Sequence, residues 1–212
     1  MSDSAHEDML TKSTKADAMM DQLELIGRLM DLEPPLYLFG GYAEDALLYG
    51  RTSRPHNDVD ILVWGDELSL RLAQAGSIGF TDFEVRGESA PNQPLAVGAV
   101  ADGVDLEFCV VQRSADGSPF FDLPTASGLK RVWLAVPMLA SEDQLLEGIR
   151  VRTLSPLALY QIRSALADVM GGFRPKDVAA QEALRARFFS DKAEAELAPR
   201  VEILTNSGPR SE

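Results

Sequence analysis

FGGYAEDALLYGRTSRPHNDVDI, residues 39 to 61, decides how the rest of the chain is read. It sets a glycine pair at the end of an apolar run, then a short helical segment, a basic connection containing proline, and two aspartates one residue apart on the next apolar run. Leu36 to Phe39 and Val59 to Trp64 are short, apolar and bounded by turn residues, which is the pattern of buried strands. Side chains two apart on a strand share a face, so Asp58 and Asp60 project together. Two carboxylates aimed at one point repel each other unless a cation sits between them, and hard oxygen ligands suit magnesium. Gly40 and Gly41 precede the helical segment, where bare backbone N–H groups and the helix dipole can receive a phosphate. Alone, a glycine pair is usually a tight turn and an Asp-x-Asp usually solvated surface. Together, with Arg54 and His56 between them, they describe a phosphate site beside a metal site. Arg54 can clamp a phosphate bidentately, which lysine does less well; His56 is either a phosphate donor or a cap for its own loop.

Further along, VDLEFCVV (104–111) carries two acidic residues inside an apolar run. Asp105 and Glu107 fall on one face, while Val104, Leu106 and Phe108 take the other. A partly buried carboxylate persists only if a charge or metal compensates it. If this strand lies beside the Asp58 strand, Asp105 becomes the third carboxylate of the site.

The pattern Gly40-Gly41, Asp45, Gly50, Arg54, His56, Asp58 and Asp60 resembles the signature of the polymerase β-type nucleotidyltransferase superfamily. Within it, the nearest resemblance is to the small lincosamide and aminoglycoside adenylyltransferases. It is specific across Phe39 to Ile61 and weaker but collinear from Val104 to about Leu184. It implies an α/β (α+β) nucleotidyltransferase fold: a mixed, mainly antiparallel sheet flanked by helices, with further helices at the C-terminal end. The implied activity is magnesium-dependent transfer of a nucleoside monophosphate, AMP first, from ATP or another nucleoside triphosphate to a hydroxyl of a small antibiotic-like acceptor, releasing pyrophosphate. The resemblance further implies that Gly40, Gly41, Asp45, Arg54 and His56 bind the nucleotide. Asp58, Asp60 and Asp105 would hold two Mg2+ ions, and Asp105 or Glu107 would take the acceptor's proton. Arg174-Pro175-Lys176-Asp177 matches the opening of the family's last helix, so Lys176 is expected at the triphosphate, although Ala180 replaces the acidic residue often found three places after the Asp.

At 212 residues and 45% apolar content the chain can bury a real core. The expected organisation is a disordered start (1–12), a catalytic domain (13–153), a helical extension (154–190) and a tail (191–212). No run is long enough to cross a membrane, and the acidic start MSDSAHEDML lacks the regions of a secretory signal, so a cytoplasmic enzyme is expected. The formal charge of −13 argues against a general nucleic-acid binder. It serves solubility, and it can also draw in a cationic acceptor such as an aminoglycoside. The single cysteine, Cys109, excludes an internal disulfide and reads as a core residue. Monomer and homodimer are both compatible with the sequence.

The remaining segments read as a helix over Ala16–Asp31 with Met19, Leu23, Ile26 and Met30 inward, and a helix over Asp66–Ala75. Strands are expected near Phe83–Arg86 and Leu95–Val100, then Arg131–Val136 and Gly148–Thr153, with helices starting at Ser155 and Pro175. Residues 112–130, rich in Ser, Gly, Pro and Asp, read as a long loop that either walls the acceptor pocket or covers a sheet edge. Two competing functions fit the same motifs: a toxin- or antitoxin-like nucleotidyltransferase acting on a protein or tRNA, and a non-catalytic nucleotide-binding module. All the expected acidic positions are filled, which counts against the second.

Overall fold

A computed structural model describes residues 21–204 except 91, 102, 126–127, 170–171 and 173. The expected disordered start, Met19 and the last eight residues of the expected tail (205–212) lie outside the described residues. Helix α1 covers 21–30, with Leu23, Ile26, Leu29 and Met30 buried at helical spacing, and ends before the Pro34-Pro35 pair that cannot continue it. Strand β1 (Tyr37–Leu38) leads directly into α2 (Gly40–Leu48). After the polar connection come β2 (Asp58–Trp64), α3 (Leu68–Ser77), β3 (Thr81–Ala90), β4 (Gln93–Ala101) and β5 (Val104–Arg113).

The centre of the sheet is the parallel pair β2–β5, in which Asp58 stands opposite Asp105, Asp60 opposite Glu107 and Leu62 opposite Cys109. Every other ladder between named strands is antiparallel: β1 on β2, β4 on β5 and β3 on β4. The pairing follows from alternation. Val59, Ile61 and Val63 on β2, and Leu106, Phe108 and Val110 on β5, are buried on one face, each contributing on the order of 1.5–3 kcal/mol. A one-residue slip would bury the carboxylates instead and expose these side chains, so the register is strongly specified.

The far end of β5 pairs with β6 (Pro119–Thr125), which forms a hairpin with β7 (Gly128–Trp133). The expected long loop over 112–130 is therefore mostly strand. Phe120 and Trp133 meet across the hairpin with ring centroids 5.2 Å apart, and Arg131 stacks on Phe120 at 3.8 Å while gripping Asp122 bidentately. These contacts outweigh a loop-like composition. A small hairpin, β8 (Gln144–Leu146) and β9 (Ile149–Val151), precedes α4 (Pro156–Val169) and α5 (Pro175–Phe188). Pro156 and Pro175 sit at helix starts, where a missing N–H costs nothing. The tail expected from residue 191 is also partly structured: α6 (Glu194–Leu197) is followed by β10 (Arg200–Leu204), which pairs with β7 and becomes an edge strand. The architecture is thus a mixed, mainly antiparallel sheet with helices packed on it, as expected for a nucleotidyltransferase fold. No helix of the described residues is long and apolar enough to cross a membrane.

Candidate active site

A cavity of about 700 Å3 opens along the β2–β5 pair, walled by α2, the 54–57 connection, β3, β4, β6, α4 and the start of α5. Gly40, Gly41, Arg54, His56, Asp58, Asp60, Glu107 and Lys176 all line it. The expected site residues that do not are Asp45 and Asp105.

The glycine pair forms the first two residues of α2 rather than a turn before it, with Phe39 as N-cap. No side chain caps this end and its first turn holds no acidic residue, so its backbone donors remain available for an anion. Gly40 has φ +61°, and a Cβ there would lie 1.9 Å from Asp60 Oδ2. The position is glycine because the carboxylate of the neighbouring strand passes directly against the backbone. At Gly41 a Cβ would lie 2.4 Å from His56 Nδ1 and 2.9 Å from an Arg54 guanidinium nitrogen. The two glycines therefore let the metal-type and phosphate-type residues approach the same helix start.

Asp60 is the most perturbed carboxylate of the site. Its burial, followed by the nearby charges of Asp58 and Glu107, pushes its pKa from an ordinary 3.8 up to about 7, against the opposing effect of Arg163. Oxygen atoms of Asp60 and Glu107 and the Cys109 sulfur lie within 4.8 Å of one another. A half-buried carboxyl held beside two others is favoured as an anion only when a cation joins them. The donor set is mainly hard oxygen and fits magnesium or manganese. The thiol is the exception: its pKa is raised by burial and the same carboxylates, so it is held protonated.

Asp105 was expected as the third carboxylate beside Asp60, but the structure sets Glu107 opposite Asp60. Because β2 and β5 run parallel and in register, Asp105 pairs with Asp58 at the strand starts, where it is exposed and outside the cavity wall. Glu107, one pair further in, is the carboxylate that faces Asp60. Cys109 continues the same face into the cavity and is not a core residue as expected. The signal was present in the sequence, since Asp105, Glu107 and Cys109 alternate.

Asp45 also departs from expectation. It is buried and accepts hydrogen bonds from the Ser53 amide at 2.9 Å, the Ser53 hydroxyl at 2.5 Å and His56 Nε2 at 2.8 Å. It pins the basic connection to α2 and does not line the cavity. His56 has both ring nitrogens engaged, Nε2 with Asp45 and Nδ1 with Arg54 at 3.2 Å, while its ring packs 4.1 Å from that of Tyr42. An arginine can only donate, so Nδ1 accepts and the proton sits on Nε2. Both ring nitrogens of His56 are thus engaged within the protein, and the ring holds Arg54 in place.

A chain of ion pairs runs from here into the C-terminal helices. Arg54 lies 3.8 Å from the buried Glu44, which also accepts from Arg163 of α4. Arg163 bonds Asp177 at 3.1 Å, and Arg174 grips Asp177 through contacts of 2.5 and 3.0 Å. The network ties α2, α4 and α5 around the cavity and leaves Lys176 exposed at its rim without an ion pair among the described residues. None of these long-range pairs was legible in the sequence.

A glycine-started helix facing an Asp-x-Asp strand, closed by C-terminal helices, defines the nucleotidyltransferase fold. Solved structures of that fold resemble the chain over most of its length. One is similar to it with a TM-score of 0.57 and 17% identity over 90% of this chain and 95% of the other: ANT(2'')-Ia in complex with adenylyl-2''-tobramycin. The solution structure of the antibiotic-resistance factor ANT(2'')-Ia gives a TM-score of 0.62 with 18% identity over 83% and 89%. The lincosamide antibiotic adenylyltransferase LnuA, lincomycin-bound, gives 0.52 with 17% identity over 80% and 96%. No protein-family model and no curated protein matches the chain.

Proposed function

We propose that the protein is a nucleotidyltransferase that moves a nucleoside monophosphate, AMP first, from a nucleoside triphosphate to a hydroxyl of a small antibiotic-like molecule, releasing pyrophosphate. The observation that carries this reading is the half-buried Asp60, set opposite Glu107 and beside Asp58 against the uncapped start of α2, where burial and the two neighbouring carboxylates push its pKa to about 7. A scaffold without metal or phosphate to bind gains nothing from that arrangement.

The α2 N-terminus, with Gly40 and Gly41, receives the phosphates of the triphosphate, and Arg54 and Lys176 add charge-assisted hydrogen bonds to them. Asp45 and His56 hold Arg54 in position. Asp58, Asp60 and Glu107 fit two magnesium ions, which when bound would supply charge neutralisation and an acidified acceptor hydroxyl. Glu107 is the base: it lies beside the reacting position and takes the acceptor proton as the hydroxyl oxygen attacks the α-phosphorus and the bond to pyrophosphate breaks. Most of the rate comes from positioning and electrostatics.

The test is magnesium-dependent pyrophosphate release from a mixture of nucleoside triphosphates with lincosamide and aminoglycoside acceptors, with Asp60→Asn alongside. Release that needs acceptor, magnesium and Asp60 supports the reading; equal release by Asp60→Asn defeats it.

A further inference from the structure

The row of residues that crosses the sheet to Asp60 contains a glycine that its own backbone does not require. The strand registers align Glu84 of β3, Gly98 of β4, Glu107 of β5 and Asp60 of β2. Gly98 is buried in the interior of β4 and its φ is not positive, so any residue could adopt its conformation. Glycine inside a strand weakens it and marks a close approach. Here the approach is made by Arg86. Its side chain leaves β3 opposite Ala96 and crosses diagonally over Gly98 to donate to Glu107 Oε2 at 2.6 Å. A Cβ at Gly98 would lie 2.5 Å from both the guanidinium carbon and one of its terminal nitrogens. The backbone need not move to admit that Cβ; the guanidinium would.

As a stabilising contact the pair is weak, because the Arg86 side chain is 46% exposed and ion pairs at such positions contribute little. Glu84 and Asp105 also act on the charge of Arg86, yet its hydrogen bond goes to Glu107. That bond divides the carboxylate. Oε2 is taken by Arg86, while Oε1 is turned to the Cys109 sulfur at 3.8 Å, and that sulfur lies within 4.8 Å of oxygens of both Asp60 and Glu107. A metal-binding carboxylate is ordinarily oriented by a hydrogen bond from a second group, and losing that partner costs about 10–100-fold in metal affinity or activity.

Resting on the nucleotidyl-transfer reading for the role of Glu107, we infer that Arg86 is a positioning residue of this site. Acting through Oε2, it orients Glu107 and leaves Oε1 for the metal and the acceptor proton, and Gly98 is the opening through which it reaches. The opposite reading is an autoinhibitory plug, in which Arg86 is a cation that the metal must displace. The two differ in sign. On charge alone, removing the guanidinium tightens the binding of a divalent cation; loss of orientation weakens it.

Binding of Mn2+ to the full chain, followed by electron paramagnetic resonance without nucleotide or acceptor, tests this. It is paired with kcat and nucleotide KM for pyrophosphate release at saturating magnesium. Arg86→Ala is expected to weaken Mn2+ binding by ~10-fold or more and to lower kcat by a similar factor, with nucleotide KM changed by less than ~3-fold. Gly98→Ala, which removes no charge, is expected to reproduce both losses. The double variant is expected to be no worse than Arg86→Ala, because Gly98 acts only through Arg86. Thermal melting checks the folding of each; if Gly98→Ala does not fold, the sign of the Arg86→Ala change decides alone. Tighter or unchanged Mn2+ binding by folded Arg86→Ala, an unchanged kcat, single losses that add in the double variant, or no Mn2+ binding by wild type overturns the inference. The same coupled loss of Mn2+ affinity in a chain that releases no pyrophosphate with any acceptor upholds it and defeats the nucleotidyl-transfer reading instead.

Discussion

Asp60→Asn should make the metal-free protein more stable at alkaline pH while removing its activity. In the folded state Asp60 holds its proton up to about pH 7, whereas an exposed aspartate releases it near 3.8. A carboxyl with a raised folded value contributes stability that is fully present below the unfolded value and is lost progressively as pH rises from there to the folded value. Between pH 5 and the folded value lie about two pH units, each worth about 1.4 kcal/mol, so wild type should lose roughly 2–3 kcal/mol from this group between pH 5 and 8. Urea denaturation in chelator, repeated across that range, measures it. The Asp60→Asn curve should lack that component, so the difference between the two proteins grows toward pH 8, and added Mg2+ should recover stability in wild type far more than in the variant. Parallel pH dependences for the two proteins, or an Asp60→Asn chain that loses stability more steeply, would refute the reasoning that Asp60 is held as an uncompensated buried carboxylate.

Other consequences follow from the same geometry. Gly40→Ala forces a Cβ to within 1.9 Å of Asp60 Oδ2 at a φ of +61°. It should therefore cost activity by more than ~100-fold and stability by about 1–3 kcal/mol, read from turnover and thermal melting. Glu107→Gln should depress kcat far more than Asp105→Asn, because only Glu107 faces Asp60; the reverse order would return the third carboxylate to Asp105. His56→Ala and Asp45→Asn should raise the nucleotide KM several-fold with a smaller change in kcat, since both act by aiming Arg54; a loss confined to kcat would speak for a direct chemical role. Arg163→Ala strands the buried Glu44 and loosens Asp177, and should cost about 3–5 kcal/mol in denaturant unfolding.

Much of this site could be read before any fold was known. The glycine pair, the Asp-x-Asp strand and the alternating run Val104–Val111 are local patterns, and their physics of periodicity and turn chemistry dictates one register between two strands. What stayed hidden was of three kinds. The hairpin over Pro119–Trp133 and strand β10 have weak local signals, with Pro119 and Pro124 inside the first, and are fixed by tertiary pairing and by the stacking of Phe120, Arg131 and Trp133. Cys109 was misassigned because an apolar run suggested core, although its alternation with Glu107 points the other way. The ion-pair chain from Arg54 through Glu44 and Arg163 to Asp177, and the crossing of Arg86 over Gly98, join residues far apart in the chain and leave no trace in spacing. The supporting role of Asp45 was likewise invisible, and that of His56 was one of two open readings, since a motif names residues without saying whether they touch the ligand or hold the ones that do.

Pyrophosphate release in the presence of ATP, magnesium and an acceptor tests the central claim most directly. Wild type should release pyrophosphate only with acceptor and magnesium present, and Asp60→Asn should fall to background, with an adenylylated acceptor in the product mass spectrum. Nucleotide binding without release for any small acceptor would contradict the small-molecule assignment, and no binding of any nucleoside triphosphate with magnesium would contradict the nucleotidyltransferase site itself.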